Sequence, residues 1–597
     1  MKKILLYTLV VLLLAGAGFL VPTIWGKPWS IEHFYMRTFA GFAIDHPMLL
    51  SSLRILEPMG IDFHNDDLDD MSMEFAESEA RWLDKQLEIL ARYDRDELED
   101  KLSYDILEWY MKDSQEGNRF LYYNYPVNQL SGIQSGLPDF MINTHYLGKP
   151  EDARDYVTRV GRFGTAFDQV LEGLRHREEL GIVPPLFVVR HVLEEMRNFI
   201  SPLPAEQLLY THLAEKTKEL EGFDAASRDE LLAELEKVID EVVYPAYRRM
   251  ITFFEQQEAI ATTDDGVWKF PDGEAFYAHQ LRHYTTTDMT ADEIHELGLA
   301  EVDRLQAEMK AILKAEGYNA GDLAATMNAL NADERFLYPD SDAGRAQIIE
   351  DYKRIIAEID AGLAPMFDVR PRAAVDVERV PEFKQETSPG AYYEAAPFDG
   401  SKPGVFFVNL RNVREIPKFG MRTLAYHEAI PGHHFQIGIA QELQGVPFFR
   451  RIVPFTAFVE GWALYAEKVA AESGFEDDPY DRLGYLTGQL FRAARLVVDT
   501  GIHAKRWTRE EALTYMLETT GMPETDVVAE IERYIVDPGQ ACAYKVGQLK
   551  ILELRQRAMT ALGEDFDVRG FHNVLLTNGA VPLAILERLV DNWIAEH

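Results

Sequence analysis

The sequence predicts a mainly α fold, a large helical body carrying one small β element. Three observations predict it. Apolar residues recur at helical spacing from about 70 to 380, as in Leu83, Leu87 and Leu90 or Leu209, Leu213 and Leu220, with charged residues between. Two capping boxes, T-A-D-E at 290–293 and T-R-E-E at 508–511, mark helix starts. Strand signals are few, and there is no tandem repeat or low-complexity segment.

Taken in order, residues 1–28 form an N-terminal membrane anchor or signal segment, and residues 29–597 one large domain. After Lys2 and Lys3 comes an uncharged apolar run of 22 residues, 4 to 25, long enough to cross a bilayer. Ala15-Gly16-Ala17 is a passable cleavage site, but the run continues past it, which favours an uncleaved anchor. The two lysines keep the short side inside and send the body to the extracytoplasmic (periplasmic) side. The only cysteine is Cys542, so a lipid anchor on an N-terminal cysteine is excluded and no intrachain disulfide forms. The helix opened at Thr290 carries Ile294, Leu297, Val302 and Leu305. The clearest strand is G-V-F-F-V-N-L, 404 to 410, β-branched and aromatic after a Gly-Ser-Lys-Pro turn. Asn409, near its end, is a substrate-binding candidate.

The chemistry concentrates in H-E-A-I-P-G-H-H, His427 to His434. The zinc-hydrolase pattern H-E-x-x-H sets two imidazoles four residues apart on one helical face, with the glutamate between them as general base. Here the fifth letter is Pro431, which has no amide hydrogen and strains the preceding turn, so a regular helix cannot carry the ligand there. A metal site therefore requires a bulge or break at Pro431-Gly432, with His433, or alternatively His434, turned back toward His427. Glu428 is the candidate base. A catalytic zinc usually takes three protein ligands, and F-V-E-G-W-A-L-Y-A-E, 458 to 467, offers Glu460 at the start of a second helix with Val459, Ala463, Ala466 and Val469 on its apolar side. Glu467, seven residues on, is placed to support a ligand histidine. An oxyanion needs hydrogen-bond donors, for which His503 and Tyr544 are candidates, and Lys545 or an arginine is the candidate to hold a substrate carboxylate.

The segments H-E-A-I-P-G-H-H-F-Q, E-G-W-A-L-Y-A-E, D-T-G-I-H-A-K-R-W-T and P-G-Q-A-C-A-Y-K-V-G, in this order, resemble the bacterial "domain of unknown function 885" family. So do Y-P-V-N-Q-L-S-G at 125–132, F-P-D-G-E-A-F-Y at 270–277 and T-T-T-D-M-T-A-D-E-I-H at 285–295. That family is similar in architecture to the helical zinc peptidases of the thimet oligopeptidase, carboxypeptidase Taq and angiotensin-converting enzyme type. The resemblance implies a bilobed helical metallopeptidase-like fold around a cleft, with Zn2+ held by His427, His433 and Glu460, Glu428 as base, His503 and Tyr544 as oxyanion donors, and the strand at 404–410 pairing its edge with an extended substrate. Two residues stand inserted ahead of Gly432-His433 relative to the peptidase motif, which keeps His434 in play.

The implied activity is hydrolysis of short peptides outside the cytoplasmic membrane. Two alternatives share the fold: a catalytically silent peptide-binding or envelope scaffold, and a zinc hydrolase of non-peptide amides or esters. A formal net charge of −39 and a pI near 4.8 argue against nucleic acid and anionic membrane surfaces as partners.

Overall fold

Helical periodicity becomes helix through most of the chain. A computed structural model describes residues 22–597 apart from 219, 364, 383, 384, 386–388, 399 and 401. The described residues are mainly helical with one three-stranded sheet. Most of the predicted membrane segment, residues 1–21, lies outside the described residues. Among those described, no helix is long and apolar enough to cross a membrane.

The chain groups into two compact units, Met1–Ala261 with Gly445–Arg450, and Thr262–Gln444 with Arg451–His597. The first is all helical where it is described. Its helices α1 (Pro150–Gly161), α2 (Phe163–Glu179), α3 (Leu186–Phe199) and α4 (Tyr244–Gln257) enclose a core in which Tyr247 lies 4.8 Å from Phe167 and 4.6 Å from Phe199, ring to ring. The buried Arg159 guanidinium donates to the carbonyls of His64 and Asp67 and to Ser51 Oγ, so a buried charge is neutralised by loop dipoles rather than by a carboxylate.

The second unit holds every chemically interesting motif. The helices that build and support the site are α5 (Gly273–Thr285), α6 (Ala291–Ala315), α7 (Asp342–Gly362), α8 (Met421–Glu428), α9 (His433–Gln441), α10 (Thr456–Glu472), α11 (Pro479–His503), α12 (Arg509–Thr520), α13 (Glu524–Val536) and α14 (Gln540–Leu562). Both predicted capping boxes form, at the start of α6 and of α12, with each threonine and glutamate satisfying the other's backbone amide. Helix α10 is buried around nearly its whole circumference, not along the single stripe the sequence suggests. One cause is its partner α14: a methyl group on Gly547 would lie 1.9 Å from the Ala457 carbonyl, and one on Gly461 2.5 Å from the Gly547 carbonyl carbon, so the two backbones touch.

The predicted strand is Gly404–Val408 (β3), preceded by β1 (Val375–Arg379) and β2 (Ala391–Glu394). It sits in the middle of the sheet, parallel to β1 and antiparallel to β2. Both its edges are therefore taken, which removes the expectation that this strand pairs with substrate. Asn409, just beyond it, is buried and donates from Nδ2 to the carbonyls of Gln385 and Pro389, while its Oδ1 accepts from the Arg411 amide. It fastens the β1–β2 connection, and the substrate-binding role expected of Asn409 is withdrawn.

Candidate metal centre

Proline dictates the local backbone. Helix α8 ends at Glu428, α9 begins at His433, and the four residues between leave helical geometry, with Ala429 at φ −107°, ψ −100° and a cis bond before Pro431. The Trp462 indole on α10 donates to the Pro431 carbonyl at 2.9 Å and so satisfies a backbone acceptor that the break releases. Gly432 is required by close approach: a Cβ there would stand 1.9 Å from the His427 carbonyl oxygen.

The break turns His433 back on His427. Their rings stand 4.8 Å apart and almost perpendicular, at 88°. Glu460, from the first turns of α10, brings Oε2 to 3.3 Å from His433 Nε2 and 3.6 Å from His427 Nε2. One ligand atom from each of the three residues lies within 4.8 Å of the other two. On its far side, His427 Nδ1 is 2.8 Å from Glu467 Oε1, and Glu467 is wholly buried. That contact orients the imidazole with Nε2 inward, the arrangement by which carboxylates commonly hold metal-binding histidines.

The field of the site favours positive charge, which a proton or a cation can supply. Burial opposes a charge on His427, but the carboxylates of Glu460 and Glu467, with the charge of Glu428, outweigh it and bring His427 up to about 9. Burial likewise opposes ionisation of Glu460, yet the two imidazoles hold it well below the usual carboxylate range. Glu460 Oε2 is buried and has no hydrogen-bond partner. A buried carboxylate oxygen left without a partner is costly, and a cation shared with two imidazole nitrogens would satisfy it. Two nitrogens and one oxygen are also a donor set that suits zinc, so these residues fit the metal the sequence implies.

The remaining predicted residues fall elsewhere. His434 is buried with Nδ1 3.0 Å from the Tyr393 hydroxyl of β2, and burial pushes it down to about 4; it faces away from the cluster. Glu428, 7% exposed, adjoins His427 at the end of α8. His503 is buried with both nitrogens committed to backbone: Nδ1 accepts from the Val267 amide and Nε2 lies 2.9 Å from the Tyr534 carbonyl. No nitrogen is left to meet an oxyanion, so the donor role expected of His503 is corrected to a structural one. Lys545 is corrected too. Its Nζ is buried, donates to Gln489 and Gln548 at 2.9 Å each and pairs with Glu301 at 3.2 Å, and burial brings it down to about 8. Because Gln489 donates to Glu467 Oε2 at 2.8 Å, Lys545 braces the residue that orients His427 instead of meeting substrate. The Tyr544 hydroxyl accepts from Arg533 Nη2 at 3.2 Å. Cys542 is buried, and burial pushes its thiol well up.

Sequence reasoning missed Trp462, Gln489 and the arginines about Tyr544. Each acts across 11 or more residues of chain, so neither periodicity nor spacing carries a signal for it.

Among solved structures, the chain is similar to a crystal structure of a "putative lipoprotein" from Colwellia psychrerythraea, at 35% identity over 95% of this chain and 99% of that one, with a TM-score of 0.91. It shares its fold with a "putative lipoprotein of unknown function" from Shewanella oneidensis, at 18% identity over 94% of this chain and 99% of that one, with a TM-score of 0.72. No curated protein matches the chain. Residues 56–590 match the family described as "Bacterial protein of unknown function (DUF885)", and over that span, nearly its whole length, the chain belongs to this family.

Proposed function

We propose that the protein is a zinc-dependent peptidase of the cell envelope, hydrolysing short peptides outside the cytoplasmic membrane, with a fold of the helical zinc-peptidase kind. The observation that carries this reading is the buried Oε2 of Glu460, without a hydrogen bond yet facing two imidazole nitrogens at 3.3 and 3.6 Å, one of them on a histidine already oriented by Glu467. His427, His433 and Glu460 would hold the metal, and zinc, when bound, supplies Lewis acidity toward a carbonyl and a water. Glu428 takes the proton of the attacking water and delivers it to the leaving amine. The Tyr544 hydroxyl, which accepts from Arg533, donates a hydrogen bond to the developing oxyanion. Glu467, Gln489 and Lys545 keep the His427 ring from turning. Two features support the envelope location: the apolar run behind Lys2 and Lys3, and the name lipoprotein carried by the Colwellia protein.

The test is the zinc content and peptide turnover of the full chain in detergent, beside Glu428→Gln. Zinc near one per chain is expected in both, with turnover lowered on the order of 10²-fold or more in the variant. A protein that takes up no zinc, or a variant of full activity, would refute the reading.

A further inference from the structure

Positive charge gathers around Tyr544 in an otherwise acidic protein. Arg495 on α11 and Arg533 on α13 pair with a single carboxylate, Glu530, and Arg492 on α11 stands near enough for its charge to act on it. Arg495 spends Nη2 on Glu530 at 3.0 Å and Nε on the Tyr534 hydroxyl at 2.9 Å, and its guanidinium stacks over the Tyr544 ring at 4.5 Å. Arg533 reaches Glu530 at 3.7 Å and donates to Gln540 and to the Tyr544 hydroxyl. The neighbouring acidic groups of α13 are taken elsewhere: Glu532 pairs with Arg509 at 2.7 Å, and Asp526 faces Arg411 at 3.5 Å, which is also held by Glu415. Two guanidiniums thus pair with one carboxylate, and Arg492 adds a third positive charge nearby.

Two of their nitrogens have nothing to bind. Arg495 is 3% exposed, yet its Nη1 is buried without a hydrogen-bond partner, and so is Arg492 Nε. Buried guanidinium donors left unsatisfied beside an excess of positive charge are the mark of an anion that completes them. The planar fork of arginine suits a carboxylate better than a point charge would. The cluster also adjoins the metal centre. Arg492 Nη1 and Glu467 Oε2 lie 3.5 Å and 4.0 Å from the point where a Cβ on Gly488 would stand, and Glu467 holds His427.

We propose that Arg492, Arg495 and Arg533 form the subsite for a substrate carboxylate beside Tyr544, so that the enzyme selects peptides by a negative end group. This deepens the peptidase reading and rests on it for the chemistry, but the binding site stands on its own geometry. The carboxylate is either the free C-terminus of a short peptide or an acidic side chain, and the two are separated by ligand choice.

Calorimetric titration of Glu428→Gln, in which turnover is slowed, uses three probes: a tetra-alanine peptide as the free acid, the same peptide as its C-terminal amide, and the amide with glutamate at the last position. The acid is expected to bind on the order of 10²-fold more tightly than the plain amide. The glutamyl amide ranks with the acid if side chains are read, and with the plain amide if only the terminus is. Adding Arg492→Gln should collapse the difference between acid and amide at least tenfold. Because Arg495 is buried against Glu530, Arg495→Lys is the milder companion, keeping the ion pair while losing the fork; it should weaken the acid and leave the amide unchanged. Equal binding of all three probes, or a preference untouched by both substitutions, would overturn the subsite. Preferential binding of acid by a wild-type protein that cleaves nothing would uphold the subsite and sink the peptidase reading.

Discussion

Gly432→Ala is the most direct probe of how a proline-broken helix assembles the centre. A methyl group at 432 would stand 1.9 Å from the His427 carbonyl oxygen and 2.4 Å from that of Tyr426, whereas Cβ contacts under 3.0 Å essentially never occur. Both oxygens are backbone of α8, so no rotamer relieves the overlap. The chain at 432 and 433 must move by about 1 Å relative to His427. Zinc–nitrogen bonds of about 2.0–2.1 Å tolerate roughly 0.2 Å, so His433 leaves bonding range unless α9 shifts with it. We expect zinc affinity to fall by at least 10²-fold, about 3 kcal/mol. Competition with a chromophoric chelator measures the affinity, and thermal unfolding with and without zinc measures the linked stability, which a ligand at about 1,000 times its dissociation constant raises by roughly 4 kcal/mol. A Gly432→Ala protein with wild-type zinc affinity and wild-type unfolding would show that the break does not set the ligand geometry.

Three further outcomes follow from the same coordinates. Glu467→Gln keeps the size of the side chain but removes the charge behind His427 Nδ1, and should weaken zinc by about 10- to 100-fold in the same competition assay; unchanged affinity would make Glu467 a bystander. Burial pushes the Glu476 carboxyl up to about 8, with Oε1 accepting from Thr423 and Oε2 unpartnered. Since the folded-state value lies above the ordinary 4.5, the fold takes up a proton on folding between those values, and stability falls as pH rises through that window. Glu476→Gln should therefore raise the unfolding temperature more at about pH 8.5 than at about pH 5, and a gain equal at both would contradict the assignment. His503→Ala should cost about 1–3 kcal/mol for each backbone group it orphans, at Val267 and Tyr534, while kcat of the folded protein is kept; a large loss of kcat without loss of stability would restore the oxyanion role.

What the sequence made legible was covalent and local. Pro431 cannot continue a helix, so a break between His427 and His433 is readable from one letter, and Gly432 follows because only a residue without Cβ fits against the His427 carbonyl. Threonines 290 and 508 announce their helices because a capping box closes within four residues. The strand at 404 is readable from its β-branched and aromatic residues, but its central place is not, since β1, as long as β3, carries charge at three of its five positions and β2 has only four residues. His503, Asn409 and Lys545 show the limit from the other side. Each is a polar residue in a suggestive segment, and what decides its role is a partner distant in the chain: the Tyr534 carbonyl, the Gln385 carbonyl, the Gln489 amide. A lone sequence does not print such pairings.

Glu460 and Glu467 lie two turns apart on α10 and grip opposite nitrogens of a single imidazole, Glu460 from 3.6 Å and Glu467 from 2.8 Å. The helix is thus a caliper whose jaws are set by its own pitch: seven residues advance about 10.5 Å and return to within about 20° of the same face. Inserting or deleting one residue between the jaws would swing one carboxylate about 100° around the axis. Length from 461 to 466 is therefore under a stricter constraint than composition, and a relative that changes it must orient His427 by other means.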